Sequence, residues 1–162
     1  LKDTVGHDPG EASTTSSDIN SYFRALAEAD PQRIQIRTYG ESWQGRELIY
    51  AIISSAENIQ NLDTIQSNLS LLGAGQDISE DQLAQTPAVS WLSYGVHRAE
   101  VTPSDSAINM ANHLLAAEND ELVDTILDNT LVIIDPNQNP DGRERFIHDF
   151  TSALGLEPRG DR

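Results

Sequence analysis

The stretch Ala88-Val-Ser-Trp-Leu-Ser-Tyr-Gly-Val-His-Arg-Ala-Glu-Val-Thr-Pro-Ser-Asp105 decides how this chain folds. Ala88 to Tyr94 reads as a buried strand that Gly95 ends. Thr102-Pro-Ser-Asp105 then opens a helix, with Thr102 as cap, Pro103 at the first helical position and Asp105 near the positive dipole end. Ala107, Ile108, Ala111, Leu114 and Leu115 recur behind it at helical spacing. A shorter helix carries Leu122, Val123, Ile126 and Leu127, and Leu131 to Asp135 returns as a second buried strand. Apolar strands alternating with amphipathic helices imply an α/β sandwich with a mostly buried sheet.

Towards the N-terminus, residues 1–16 are polar and read as an irregular lead-in to one domain over 17–162. Ile19, Tyr22, Phe23, Leu26 and Ala27 form a helical stripe behind Ser17, its expected N-cap, and Pro31 closes that helix. Arg33 to Tyr39 alternates, Gly40 to Arg46 turns, and Glu47 to Ser54 forms a second strand, which together predict a hairpin. Ser55 or Ala56 opens a helix through Leu69, and Gly73 to Thr86 reads as loop with one helical turn near Asp81. Beyond the second buried strand, Pro136 to Gly142 reads as turns. Phe146 and Phe150 lie four apart on a further helix.

The chain has 162 residues, 10 basic and 26 acidic, for a net charge of −16. Such a surface repels phosphates, which argues against a nucleic-acid partner and against docking on anionic membranes. No apolar run approaches the ~18 residues of a membrane span, so no membrane insertion is expected. Absence of Cys removes disulfides, thiol catalysis and cysteine-ligated zinc from consideration. Leu1 to Asp8 carries no signal-peptide pattern, and without an initiator Met the chain is expected to derive from something longer.

Two segments could carry chemistry, and each follows a buried strand, where α/β sheets place their ligands. In Gly95-Val-His97-Arg-Ala-Glu100, an imidazole and a carboxylate three residues apart can ligate one metal. Taken alone, the pair reads equally as a loop His beside a surface Glu. In Asp135-Pro-Asn-Gln-Asn-Pro-Asp-Gly142, Pro140 presets φ, Asp141 bonds its neighbours and Gly142 takes a positive φ, which suffices for a turn. A calcium loop fails there, because Pro140 and Phe146 stand where Gly and Glu are needed. His7, His113 and His148 read as surface residues, any of which could complete a different metal site. Asn68-Leu-Ser70 is a glycosylation sequon placed on a predicted helix.

These segments in this order resemble the zinc metallocarboxypeptidases of carboxypeptidase A type. Tyr39-Gly-Glu-Ser-Trp-Gln-Gly-Arg46 is similar to that family's early signature, Tyr-Gly-x-Ser-x-Glu-Gly-Arg. Val5-Gly-His-Asp-Pro-Gly and the helix at Ser17 resemble the large bacterial members. The resemblance runs from about residue 5 to 150. It implies a three-layer sandwich around a mixed sheet, present here as an incomplete, N-terminal half. His97 and Glu100 match the first two zinc ligands, and Asn139 to Gly142 matches a turn flanking the cleft.

The resemblance further implies one Zn2+, a peptide or protein substrate cleaved at its C-terminal bond, and an extracellular or periplasmic setting. The third ligand (a His), the general-base Glu and an Asn-Arg pair for the substrate carboxylate have no match here. No Asn follows Gly142, and the missing C-terminal half is the expected partner. Ala99 stands where the family often has Arg, and no role passes to Arg98. The 162-residue chain alone is therefore expected to hold zinc weakly and be inactive. The alternatives are a non-catalytic binding or structural module and a zinc amidase or deacylase of the same fold.

Overall fold

A computed structural model of the protein describes residues 2–8 and 10–152. Helix α1 (Lys2–Val5) precedes α2 (Ser16–Ala29), and β1 (Ile34–Glu41) and β2 (Glu47–Ile53) form the expected hairpin. Then come α3 (Ala56–Gln60), α4 (Leu62–Gly73), α5 (Glu80–Ala84), β3 (Ala88–Ser93), α6 (Thr102–Ala116), α7 (Glu121–Asn129), β4 (Thr130–Asp135) and α8 (Pro140–Ser152). The sheet runs β1-β2-β4-β3, with β2 antiparallel to both neighbours and β3 parallel to β4. A parallel pair needs a long crossover, which α6 and α7 supply.

Register decides which side chains meet. Ile34 faces Ile53 and Ile36 faces Ala51, while Ala51 and Ile53 pair with Ile134 and Val132. These residues share one sheet face and pack against Ile19 and Phe23 of α2, the apolar stripe of α6, and Val123 and Leu127 of α7. Phe23, Ile53 and Ile134 are fully buried there. The opposite face is only partly covered among the described residues. It carries Tyr39, Tyr50 and Trp91 in a row, with ring centroids 6.0 and 5.5 Å apart. Strand β3, expected to be buried, is an edge strand whose Val89 and Trp91 lie exposed; Trp91 keeps 54% of its surface.

Several local expectations are corrected. The lead-in contains α1, and the cap of α2 is Thr15, not Ser17: the Thr15 hydroxyl accepts from the Asp18 amide. The helix expected from Ser55 breaks at Asn61 into α3 and α4. The helical turn expected near Asp81 is present as α5, opened by a Ser79–Gln82 capping box. Thr102 is the first helical residue of α6 and not its cap; Val101 holds the cap position without a side-chain bond.

The largest correction concerns Asn139 to Gly142, which is the start of α8 and not a free-standing turn. Asn139 accepts the Gly142 amide at 3.0 Å, as an N-cap does, with Pro140 first in the helix. Gly142 has no positive φ. It is small because a Cβ would lie 2.7 Å from the Asn139 side chain. Phe146 and Phe150 stack along α8 with centroids 6.1 Å apart. Asn68 of the sequon is buried and donates to Thr86 Oγ1 and the Gln82 carbonyl, so its amide nitrogen is engaged inside the fold. Among the described residues no helix is long and apolar enough to cross a membrane.

Candidate metal centre

The chain leaves β3 still paired. Tyr94 N–H donates to the Asp135 carbonyl, and the Gln138 and Asn139 amides donate to the Tyr94 and Gly95 carbonyls, each near 3.0 Å. The Asn139 side chain adds a bond to the Val96 carbonyl at 3.0 Å. Gly95 adopts φ +66° and lies so close to α6 that a Cβ would fall 2.4 Å from Ser104 Oγ and 2.9 Å from Asn137 Oδ1. Only glycine meets both demands without strain. The next four residues turn back on themselves, with the Glu100 amide donating to the His97 carbonyl at 3.2 Å.

That turn brings the two expected ligands together. His97 Nδ1 stands 3.1 Å from Glu100 Oε2, and both side chains are open to solvent, 74% and 55% exposed. Zinc bonds to nitrogen and oxygen are ~2.0–2.2 Å long, so donors on one tetrahedral ion sit roughly 3.3 Å apart. The pair, joined directly by a hydrogen bond, lies close to that spacing. Among the described residues no third His or carboxylate joins it. His113 lies on the exposed side of α6. His7 contacts the Asp8 carbonyl and Thr14, and His148 adds no donor to the pair.

The first turn of α8 ties the surrounding motifs into one network. Asp141 accepts from Ser42 Oγ at 2.7 Å, the Gln44 amide at 3.1 Å and Arg46 Nη1 at 2.7 Å. Burial pushes its pKa up, but the bonds from Ser42, Arg46 and Gln44 outweigh this and hold it below the usual Asp range. The hairpin signature and the Asn-Pro-Asp-Gly segment are thus two sides of one contact. Beside them Tyr39 donates to Asp135 Oδ2 at 3.0 Å. Asp135 is only 2% exposed; burial raises its pKa, against the lowering effect of the Tyr39 bond. Burial and the Asp135 charge raise the Tyr39 phenol in turn.

Sequence reading missed Arg143, the one charged side chain besides Asp135 among the buried described residues. Its Nε donates to the Thr14 carbonyl, Nη1 to the Val101 carbonyl and Nη2 to Asp105. A helical reading of 139–150 places Asn139, Arg143 and Phe150 on one face, and a cation in that stripe was the available signal. Glu144 also ties α8 to the lead-in, accepting from the Ser16 amide at 2.6 Å. Arg98 pairs with Asp149 of α8 across the 97–100 turn.

A profile of the zinc carboxypeptidase family matches residues 19–154. A search of curated protein sequences finds no significant match. Among solved structures the chain is similar to thrombin activatable fibrinolysis inhibitor, with TM-score 0.60 and 13% identity, covering 82% of this chain and 27% of that one. It is also similar to carboxypeptidase A from Helicoverpa armigera (TM-score 0.58, 18% identity, 92% and 32% covered). The metallo-carboxypeptidase from Burkholderia cenocepacia gives 0.58 and 14%, with 84% and 29% covered. At such identities the likeness is one of fold, and the chain spans less than a third of these three proteins' lengths. With three motifs joined in one network and the profile covering most of the chain, this protein belongs to the zinc carboxypeptidase family.

Proposed function

We propose that this chain is the ligand-bearing N-terminal part of a zinc metallocarboxypeptidase, with His97 and Glu100 as two of the metal's ligands. The observation that carries this reading is their 3.1 Å approach on a turn at the C-terminal end of β3, held from behind by α8. In this reading the third ligand, the general base and the groups that bind the substrate's terminal carboxylate belong to sequence beyond Arg162. Bound zinc would supply a Lewis acid for the scissile carbonyl and a water acidified toward pKa ~7.

The chain's own share is to present an imidazole and a carboxylate close together on one turn. Both side chains are open to solvent. A site with two protein ligands is one short of the three that catalytic zinc sites use. Alone, the chain should hold zinc weakly and cleave nothing. Peptides or proteins are the proposed substrates, in an extracellular or periplasmic setting, and the remainder of the catalytic domain is the proposed partner.

Metal analysis of the intact protein tests this reading, with His97→Ala and Glu100→Ala beside wild type. We expect one zinc per wild-type molecule and a loss of affinity of 100-fold or more in each variant. Unchanged zinc content in the variants would remove both residues from the site. No zinc in wild type would favour a non-catalytic module.

A further inference from the structure

We infer that Arg143 is a positioning residue that sets the aim of Glu100 through the Val101 carbonyl; this rests on the reading of the 97–100 turn as the metal site. Glu100 has a side chain more than half exposed, and its side-chain hydrogen bond is to His97. Its direction is therefore governed by backbone. The backbone before the turn is fixed by Asn139, which binds Val96. The backbone after it is fixed by Arg143, whose Nη1 reaches the Val101 carbonyl at 2.6 Å. Asn139 and Arg143 are one helical turn apart on α8, so a single rigid element grips both ends of the ligand turn.

A lysine could not do the same. Arg143 is 3% exposed, and its fork serves three segments at once: Thr14 at 2.7 Å, Val101, and both Asp105 oxygens at 3.1–3.2 Å. An ammonium at this depth would keep the charge opposite Asp105 but could not span the two carbonyls on either side. Burying a guanidinium is costly unless every donor is used, and here its three nitrogens all have partners. A residue serving only to stabilise the fold would act on all elements alike. One gripping Val101 should act first on the turn beside it.

Arg143→Lys in the intact protein separates these roles. The readouts are amide exchange of Glu100, protected by its bond to the His97 carbonyl, and affinity for Zn2+ alone. We expect Glu100 exchange to speed up at least 10-fold in the metal-free variant, with the amides of β2 unchanged, and Zn2+ affinity to fall ~10-fold or more, as loss of supporting contacts does. Ile34→Val, a core truncation distant from the turn, should change neither. Asp105→Asn loosens the guanidinium's anchor while leaving the side chain in place; it should give the same local pattern at smaller amplitude, and it serves if Arg143→Lys does not fold. Exchange that rises equally in β2, or Zn2+ affinity matching wild type, would overturn the inference. Should wild type bind no Zn2+, the proposed function fails, while Glu100 exchange still decides whether Arg143 orders the turn.

Discussion

Gly95 and Gly45 both adopt a positive φ, +66° and +73°, yet they answer to different constraints. Around Gly45 there is open space, so Gly45→Ala should cost only the left-handed penalty of about 1–2 kcal/mol. At Gly95 the same penalty adds to overlap with the Ser104 and Asn137 side-chain oxygens and with the Asn137 backbone at 3.1 Å, for a further ~1–3 kcal/mol. Thermal unfolding of the two variants should therefore rank Gly95→Ala well below Gly45→Ala. Equal melting temperatures would mean that α6 gives way and that the 97–100 turn is not pinned to it. The sequence showed a Gly after a strand, but a strand end explains that residue equally well. Its contact with α6 comes from a segment nine residues further on.

Helix α8 was legible as a helix only from Phe146 onward, because Asn139-Pro-Asp-Gly142 has the composition of a turn. An N-cap and a turn use the same residues for related reasons, a side chain that accepts a nearby amide and a proline that presets φ. What decided the matter was the Asp141 contact with the β1–β2 hairpin, some 95 residues away in sequence. Strand β3 is the reverse case. Its apolar run reads as buried, as such runs in parallel sheets are, but among the described residues it lies at the sheet edge with one neighbour. The row Tyr39–Tyr50–Trp91 is thus an apolar face partly open to water. The chain on its own should bind an environment-sensitive apolar dye such as ANS, and Trp91→Lys should reduce that fluorescence at least two-fold. Unchanged fluorescence would show that the dye does not sit on this face.

For the whole molecule, 26 acidic residues against 10 basic ones make self-repulsion the leading long-range term. Raising NaCl from 0.1 to 1 M shortens the screening length from ~10 to ~3 Å. The melting temperature should rise by about 2–4 °C, the change that ~1 kcal/mol gives a domain of this size. A fall would mean that the exposed ion pairs, such as Arg24–Glu47, contribute more than the repulsion costs. By itself the sequence determined the order of the main strands and helices, the mixed α/β class, the hairpin and the closeness of His97 and Glu100, because each depends on residues close in the chain: periodicity, turn chemistry and a His and Glu three apart. The strand order β1-β2-β4-β3, the open face of β3 and the reach of Arg143 to Thr14, Val101 and Asp105 were decided only by tertiary structure. Those depend on which distant segments pack together, and a buried guanidinium is tolerated only where such packing has placed an acceptor opposite each of its nitrogens.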